Sequence, residues 1–158
     1  MEFIGEHDGS ALDDRIVVPV VMARFLLRLI EMKLRTTATS IRLRLSQTDV
    51  RNFAEHGVVE ETLKFDPEGK EWFVYRLVRD QKAEGVLATF ANNKLTVSVP
   101  VDLAEDWTST ELVGIENDAT NAQVQILVEK DFMCLVPRAG EDDRDTFPHP
   151  AGKPELPA

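Results

Sequence analysis

Arg42 and Arg44 stand two residues apart in the run IRLRL. At that spacing both side chains leave the same face of a strand, and adjacent guanidinium groups present planar forks of donors that suit a phosphate or carboxylate. Arg76 and Lys64, on later stretches with strand pattern, add two cations to this candidate ligand-binding set. Glu60, Glu61 and Glu129 are the candidate metal ligands, since several carboxylate oxygens are what a magnesium or manganese ion needs for phosphoanhydride hydrolysis. Glu61 is the odd residue of its strand, because its alternation partners are Val59, Leu63 and Phe65. An unbulged strand aims that carboxylate into an apolar layer, where it requires an arginine, a metal or a raised pKa; a bulge at the acidic pair turns it away. The plainer alternative for the arginines is a solvated strand face with cross-strand salt bridges to Glu60 or Glu129.

The remaining reactive side chains point to little chemistry. Cys134, the single cysteine, lies between Met133 and Leu135 and reads as a small buried hydrophobe. One cysteine also excludes a disulfide framework and any multi-thiolate zinc site. His7, His56 and His149 share no metal-ligand spacing, and His56 suits the C-terminal end of a helix, beside Gly57. Glu129, Lys130 and Asp131 close the last strand and read as a solvated edge. No glycine-rich phosphate loop, G-x-S-x-G elbow, H-E-x-x-H pair or EF-hand spacing occurs, which removes the common nucleotide-loop, serine-hydrolase, zincin and calcium readings.

Period-two alternation dominates the chain that carries these residues. Ile41, Leu43 and Leu45 share one strand face; Ser46 and Asp49 then form a variant capping box, and Val50, Phe53 and Ala54 a helical stripe that stops at Gly57. Strands are expected at 58–65 and 71–79 around a turn at Asp66 to Lys70, and at 86–91 and 94–99 around Asn92 and Asn93, whose tolerance of positive φ suits a tight hairpin. A short helix from Pro100 to Trp107 precedes strands at 111–116 and 123–130.

These pieces repeat. An ungapped shift of 54 residues sets Ile41, Leu43 and Leu45 over Leu95, Val97 and Val99, Phe53 over Trp107, Val58 and Val59 over Leu112 and Val113, and Trp72 and Val74 over Ile126 and Val128. Each half, 32–78 and 86–132, is then strand, strand, helix, strand, strand. The expected fold is α+β: a single duplicated domain over 32–136, with a mainly antiparallel eight-stranded sheet curled into a barrel or split into two layers.

With 158 residues the chain suits one globular domain, and 18 Lys plus Arg against 28 Asp plus Glu leave a net charge of −10. That balance argues against a duplex-binding protein, which must neutralise phosphates with clustered cations, so no nucleic-acid partner is expected. The charge is uneven. Lys33 to Lys94 holds 11 basic and 9 acidic residues, whereas Leu95 to Glu129 holds 7 acidic and none basic. Residues 1–31 form an N-terminal extension with an apolar stretch from Ile16 to Ile30, broken by Arg24 and Arg28 and too short for a membrane span. A helix over 20–31 would pack on the domain or lie on a membrane; alternatively the natural chain begins at Met32. Residues 137–158 hold five of the eight prolines together with acidic side chains, and read as an unfolded tail from which Phe147 can dock back.

The runs IRLRLSQTDV, VEETLKF and ILVEKDFMCLVPR, with EDDRD and FPHP after them, resemble a small bacterial family of unknown function over about 32–150. That resemblance implies a fold and no chemistry. In architecture the duplicated unit looks like the tunnel-shaped (CYTH-like) triphosphate hydrolases, whose barrels carry an E-x-E-x-K motif on the first strand. Here the first strand has Arg42-x-Arg44, and Glu60, Thr62 and Lys64 put a threonine at the second carboxylate. The departure leaves metal-dependent catalysis without its usual ligands. The expectation is therefore a cytoplasmic protein that binds a small anionic ligand in a barrel or sheet cleft through Arg42, Arg44, Arg76 and Lys64 and needs no cofactor. The alternatives are a magnesium- or manganese-dependent phosphoanhydride hydrolase using Glu60, Glu61 and Glu129, and a non-enzymatic protein-protein interaction module.

Overall fold

A computed structural model of the chain describes residues 32–118, 120, 122–134 and 144–149. The expected N-terminal helix and most of the proline-rich tail lie outside the described residues. Among the described residues eight strands and two helices follow in the anticipated order: β1 (Lys33–Thr36), β2 (Ser40–Leu45), α1 (Gln47–His56), β3 (Val58–Lys64), β4 (Trp72–Asp80), β5 (Leu87–Ala91), β6 (Lys94–Pro100), α2 (Val101–Ser109), β7 (Gly114–Glu116) and β8 (Gln125–Lys130).

Local chemistry accounts for the boundaries. Ser46 Oγ accepts from the Asp49 amide at 3.1 Å, and the Asp49 carboxylate accepts from the Ser46 amide at 3.1 Å, so both arms of the capping box are made. Gly57 ends α1 at φ 73°, a left-handed conformation that costs a side-chain-bearing residue, and its N–H reaches the Phe53 carbonyl at 2.8 Å. Asn92 and Asn93 take φ values of 51° and 59°, the pair of positive angles a type I′ hairpin needs between β5 and β6. The Asp66 carboxylate accepts from the Lys70 and Glu71 amides and so holds the turn between β3 and β4.

The sheets are not a closed barrel. Two four-stranded sheets form, in the orders β1-β2-β8-β7 and β3-β4-β6-β5. Outer pairings are antiparallel hairpins, while the central pairs β2–β8 and β4–β6 are parallel. Each sheet thus joins the first hairpin of one half to the second hairpin of the other, and among the described residues the outermost strands have no further neighbour. Lys33 and Arg35 on β1 and the three-residue length of β7 are the usual guards of such edges.

The two halves share one element order and one pairing pattern, with gaps. Leu43 pairs with Val128 and its counterpart Val97 with Leu77, so β8 lies over β4 at a shift of 51. Val128 pairs with Ile115 and Leu77 with Val59, which sets β7 over β3 at 56. Only β1, β2 and the helices obey the ungapped shift of 54. Trp72 and Val74 are consequently not the counterparts of Ile126 and Val128; Tyr75 and Leu77 are. The second half spends two more residues before its third strand and five fewer in its last hairpin.

One apolar core takes side chains from both sheets and both helices. Phe53 and Trp107, equivalent residues of α1 and α2, meet edge to face with ring centroids 6.2 Å apart, and both are buried. The C-terminal segment docks as the position of Phe147 suggested. The Phe147 N–H donates to the Asp131 carbonyl at 2.7 Å, the Met133 N–H to the Phe147 carbonyl at 2.9 Å, and the Phe132 and Phe147 rings lie 5.9 Å apart.

Candidate functional site

Alternation decides where the cations go. Leu43 and Leu45 are buried in the core, so Arg42 and Arg44 between and beside them leave the opposite, outer face of their sheet. The expected enclosed wall of guanidinium groups is therefore corrected to an outward-facing one. The enclosed space between the layers is filled by apolar side chains, which leave no solvation for a charge.

On that outer face β1 and β2 place Lys33 opposite Arg44 and Arg35 opposite Arg42. Four cations on two neighbouring strands repel unless anions lie among them. Glu129 of β8 answers two of them: its Oε1 lies 2.6 Å from Arg44 Nε and 3.2 Å from Arg42 Nε. Lys33 reaches the Asp131 carboxylate at 2.6 Å. Arg35, exposed at the edge, makes no ion pair with a described residue.

Beside this face, where the β1–β2 turn meets the β7–β8 turn, a cavity of about 550 Å³ opens. Arg35 and Arg42 line one side, Glu116 and Asp118 another, and Thr37, Ser40, Asn117 and Gln125 supply neutral donors and acceptors. Its walls are fixed by hydrogen bonds. Asn117 donates from Nδ2 to the Val124 carbonyl at 2.9 Å and accepts at Oδ1 from the Ile126 amide at 2.8 Å, and the Gln125 amide donates to the Thr39 carbonyl at 2.9 Å. Asp118, exposed at the cavity rim, has its carboxyl held below the usual range by the Thr120 hydroxyl and amide.

The other expected ligands lie elsewhere. Arg76 and Lys64 belong to the outer face of the second sheet, where Glu60 is the β3 neighbour of Arg76. Arg76 donates from Nε to Thr96 Oγ1 at 2.9 Å, and Lys94 Nζ stands 3.3 Å from Glu60 Oε2. The candidate metal trio is divided in the same way, with Glu60 and Glu61 on one sheet and Glu129 on the other. Among the described residues no group of three or more His, Cys, Asp or Glu is placed to hold a metal ion. Glu61 sits in an unbroken register opposite Tyr75, on the face it shares with Val59. It is half-buried, at the point where the core gives way to the exposed Leu63 and Phe65.

The end of β8 also departs from expectation, since Lys130 and Asp131 are buried and not a solvated edge. Lys130 donates to the Thr110 carbonyl at 2.6 Å, at the end of α2, with its ammonium 5.6 Å from the Phe147 ring centroid. Burial lowers its pKa, with Glu111 opposing. Arg79, the Lys130 counterpart at the shift of 51, donates to the Ala54 carbonyl near the end of α1 at 3.3 Å. Each half thus uses a cation from its fourth strand to meet the orphan carbonyls of its own helix. Lys130 also borders a second cavity, of about 570 Å³, together with His149, Glu111 and Phe147. At the other end of α1, Asp145 accepts from the Thr48 amide and hydroxyl, each at 3.2 Å. Burial raises the pKa of Asp49 beside it; its bonds from Ser46 oppose that shift, while Asp145 and Asp131 add to it.

Arg35 is the site residue that sequence reasoning missed. Folding the first hairpin about its short turn would have put it opposite Arg42. Lys94 was missed likewise, because only the parallel β4–β6 pairing brings that strand beside Arg76.

These features define a two-sheet α+β protein with a cationic hairpin face beside a polar cavity. The chain belongs to a family of unknown function (DUF7009), whose model matches residues 32–151. The match spans both halves and the docked segment with Phe147. No curated protein and no solved structure matches the chain. Among the described residues no helix is long and apolar enough to cross a membrane.

Proposed function

We propose that the protein binds a small anionic ligand in the cavity beside the β1–β2 hairpin, with Arg35 and Arg42 as the anion's donors and Arg44 holding Glu129 beside them. The observation that carries this reading is the direct pairing of Arg35 with Arg42 at the cavity, with Arg35 lacking an ion-pair partner among the described residues. Two guanidinium groups held side by side are destabilising in the free protein and are relieved by a phosphate or carboxylate between them. The acidic side formed by Glu116 and Asp118 accepts from hydroxyl or amino groups. A ligand with its anion at one end and hydrogen-bond donors at the other fits both sides.

Thermal unfolding with phosphate, pyrophosphate and triphosphate, each with and without magnesium, tests the proposal, because a ligand that binds only the native state raises its stability. Metal-independent stabilisation that disappears in Arg35→Ala, Arg42→Ala is expected. Full retention of the response in that variant would overturn the site. Stabilisation that needs magnesium and is followed by phosphate release would favour the hydrolase.

A further inference from the structure

β5 differs from the other outermost strands. β1 carries Lys33 and Arg35, β3 carries acidic and basic side chains, and β7 is three residues long and ends in Glu116. β5 reads Leu-Ala-Thr-Phe-Ala and holds no charge. Charges and shortness keep an edge from pairing with another strand, so an uncharged edge of five residues is open to it. Hairpin geometry says which backbone groups are offered there. The two-residue turn at Asn92 and Asn93 closes on a hydrogen-bonded pair, Ala91 with Lys94, and bonding alternates from there through Thr89 with Thr96 and Leu87 with Ser98. The N–H and C=O groups of Ala88 and Phe90, in between, turn away from β6 to the open edge, where among the described residues no further strand meets them.

We propose that this edge joins a second copy of the chain, β5 against β5 in antiparallel register about Thr89. The occupant follows from the order of side chains in the strand. Turned about Thr89, the second copy leaves all five residues paired, with the outward groups of Ala88 and Phe90 bonding to those of the second copy's Phe90 and Ala88. Ala88 and Phe90 lie on the core side of the sheet, opposite Val97 and Leu95, so each large ring meets a small side chain there. On the outer side Thr89 meets its own copy and Leu87 meets the second copy's Ala91. No charges are opposed, and the contact is self-complementary, as a two-fold interface requires. Phe90, 67% exposed and held 6.3 Å from the Phe73 ring, and Leu87, 40% exposed, are the apolar side chains this contact covers. The two sheets then run on as one across the two-fold axis. The anion site lies on the other sheet, so the two proposals stand or fall separately.

Sedimentation equilibrium of the full chain tests the contact together with directed cross-linking. Wild type is expected to pass reversibly from monomer to dimer as concentration rises over about two decades, since a single strand pair is a small interface. Thr89→Glu, whose side chain shares its sheet face with Lys94 and Arg76 and so suits the monomer, opposes two carboxylates at the two-fold axis and should weaken dimerisation at least about tenfold. In a Cys134→Ser background, Thr89→Cys should form an interchain disulfide on mild oxidation, because the Cα atoms of such a non-hydrogen-bonded pair lie about 4.5 Å apart. Thr62→Cys, on the opposite edge strand β3, should not. A wild-type chain that stays monomeric throughout, a Thr89→Glu variant that dimerises as well as wild type, or cross-linking at Thr62→Cys in place of Thr89→Cys would overturn the proposal.

Discussion

Glu129 is the internal rival of any anion that binds the hairpin face, and Glu129→Gln separates its two effects. Its side chain, 14% exposed, holds the Arg42 and Arg44 side chains, which are 35% and 43% exposed. Solvent screens pairs of that exposure, so each is worth roughly 0.5 kcal/mol and the substitution costs about 1 kcal/mol of stability without ligand. The amide keeps the shape and removes the charge that occupies Arg42. An anion no longer has to displace it, and the roughly 0.5–1 kcal/mol released makes binding about two- to fivefold tighter. Calorimetric titration with pyrophosphate at low salt reads this directly, and the gain shrinks as salt rises because the groups are partly exposed. Arg76→Ala, on the other sheet, leaves the affinity unchanged. Unchanged or weaker binding in a folded Glu129→Gln protein would refute the assignment of Arg42 to the site.

Three further outcomes follow from the frame around the site. Asp145→Ala removes the acceptor for the Thr48 amide and hydroxyl and should cost about 1 kcal/mol by urea unfolding, with the 144–149 segment becoming more susceptible to protease. Gly57→Ala places a Cβ 3.3 Å from Arg79 Nε at a backbone φ of 73°, so a loss of about 1–2 kcal/mol is expected; a neutral result would contradict the left-handed cap. Lys130 has a folded-state pKa below its ordinary value of 10.5, so between the two values the unfolded chain binds more protons. Wild type should therefore gain stability relative to Lys130→Met as pH rises through that window, and a flat difference would mean that the ammonium is not desolvated.

The strands, both helices and their recurring order were legible because each element carries its own signal: alternation in IRLRL, the Ser46 and Asp49 cap, the paired asparagines. Strand pairing was not. Two copies of the same unit pair equally well within a half or between halves, and alternation within one strand carries no address for its neighbour. The last strands were set out of register for a definite reason. WFVYRLV in β4 is apolar on both faces, so a three-residue error, which exchanges inward and outward positions, leaves the apolar match almost intact. The arginines were readable as far as their shared face, and their alternation with Leu43 and Leu45 already excluded an apolar interior. A barrel with a polar lumen would have welcomed them inside; two sheets over a filled core do not. Lys130 and Asp131 looked like a solvated edge because Phe147, which helps bury them, lies in a proline-rich acidic stretch.

Titrating isotope-labelled protein with pyrophosphate while following backbone and arginine side-chain resonances locates the ligand most directly. Binding at the hairpin cavity predicts saturable shifts at Arg35, Arg42, Asn117 and Gln125, with Arg76, Lys94 and Thr96 unmoved. Shifts centred on Arg76 and Lys94, or no saturable shift at either face, would contradict it.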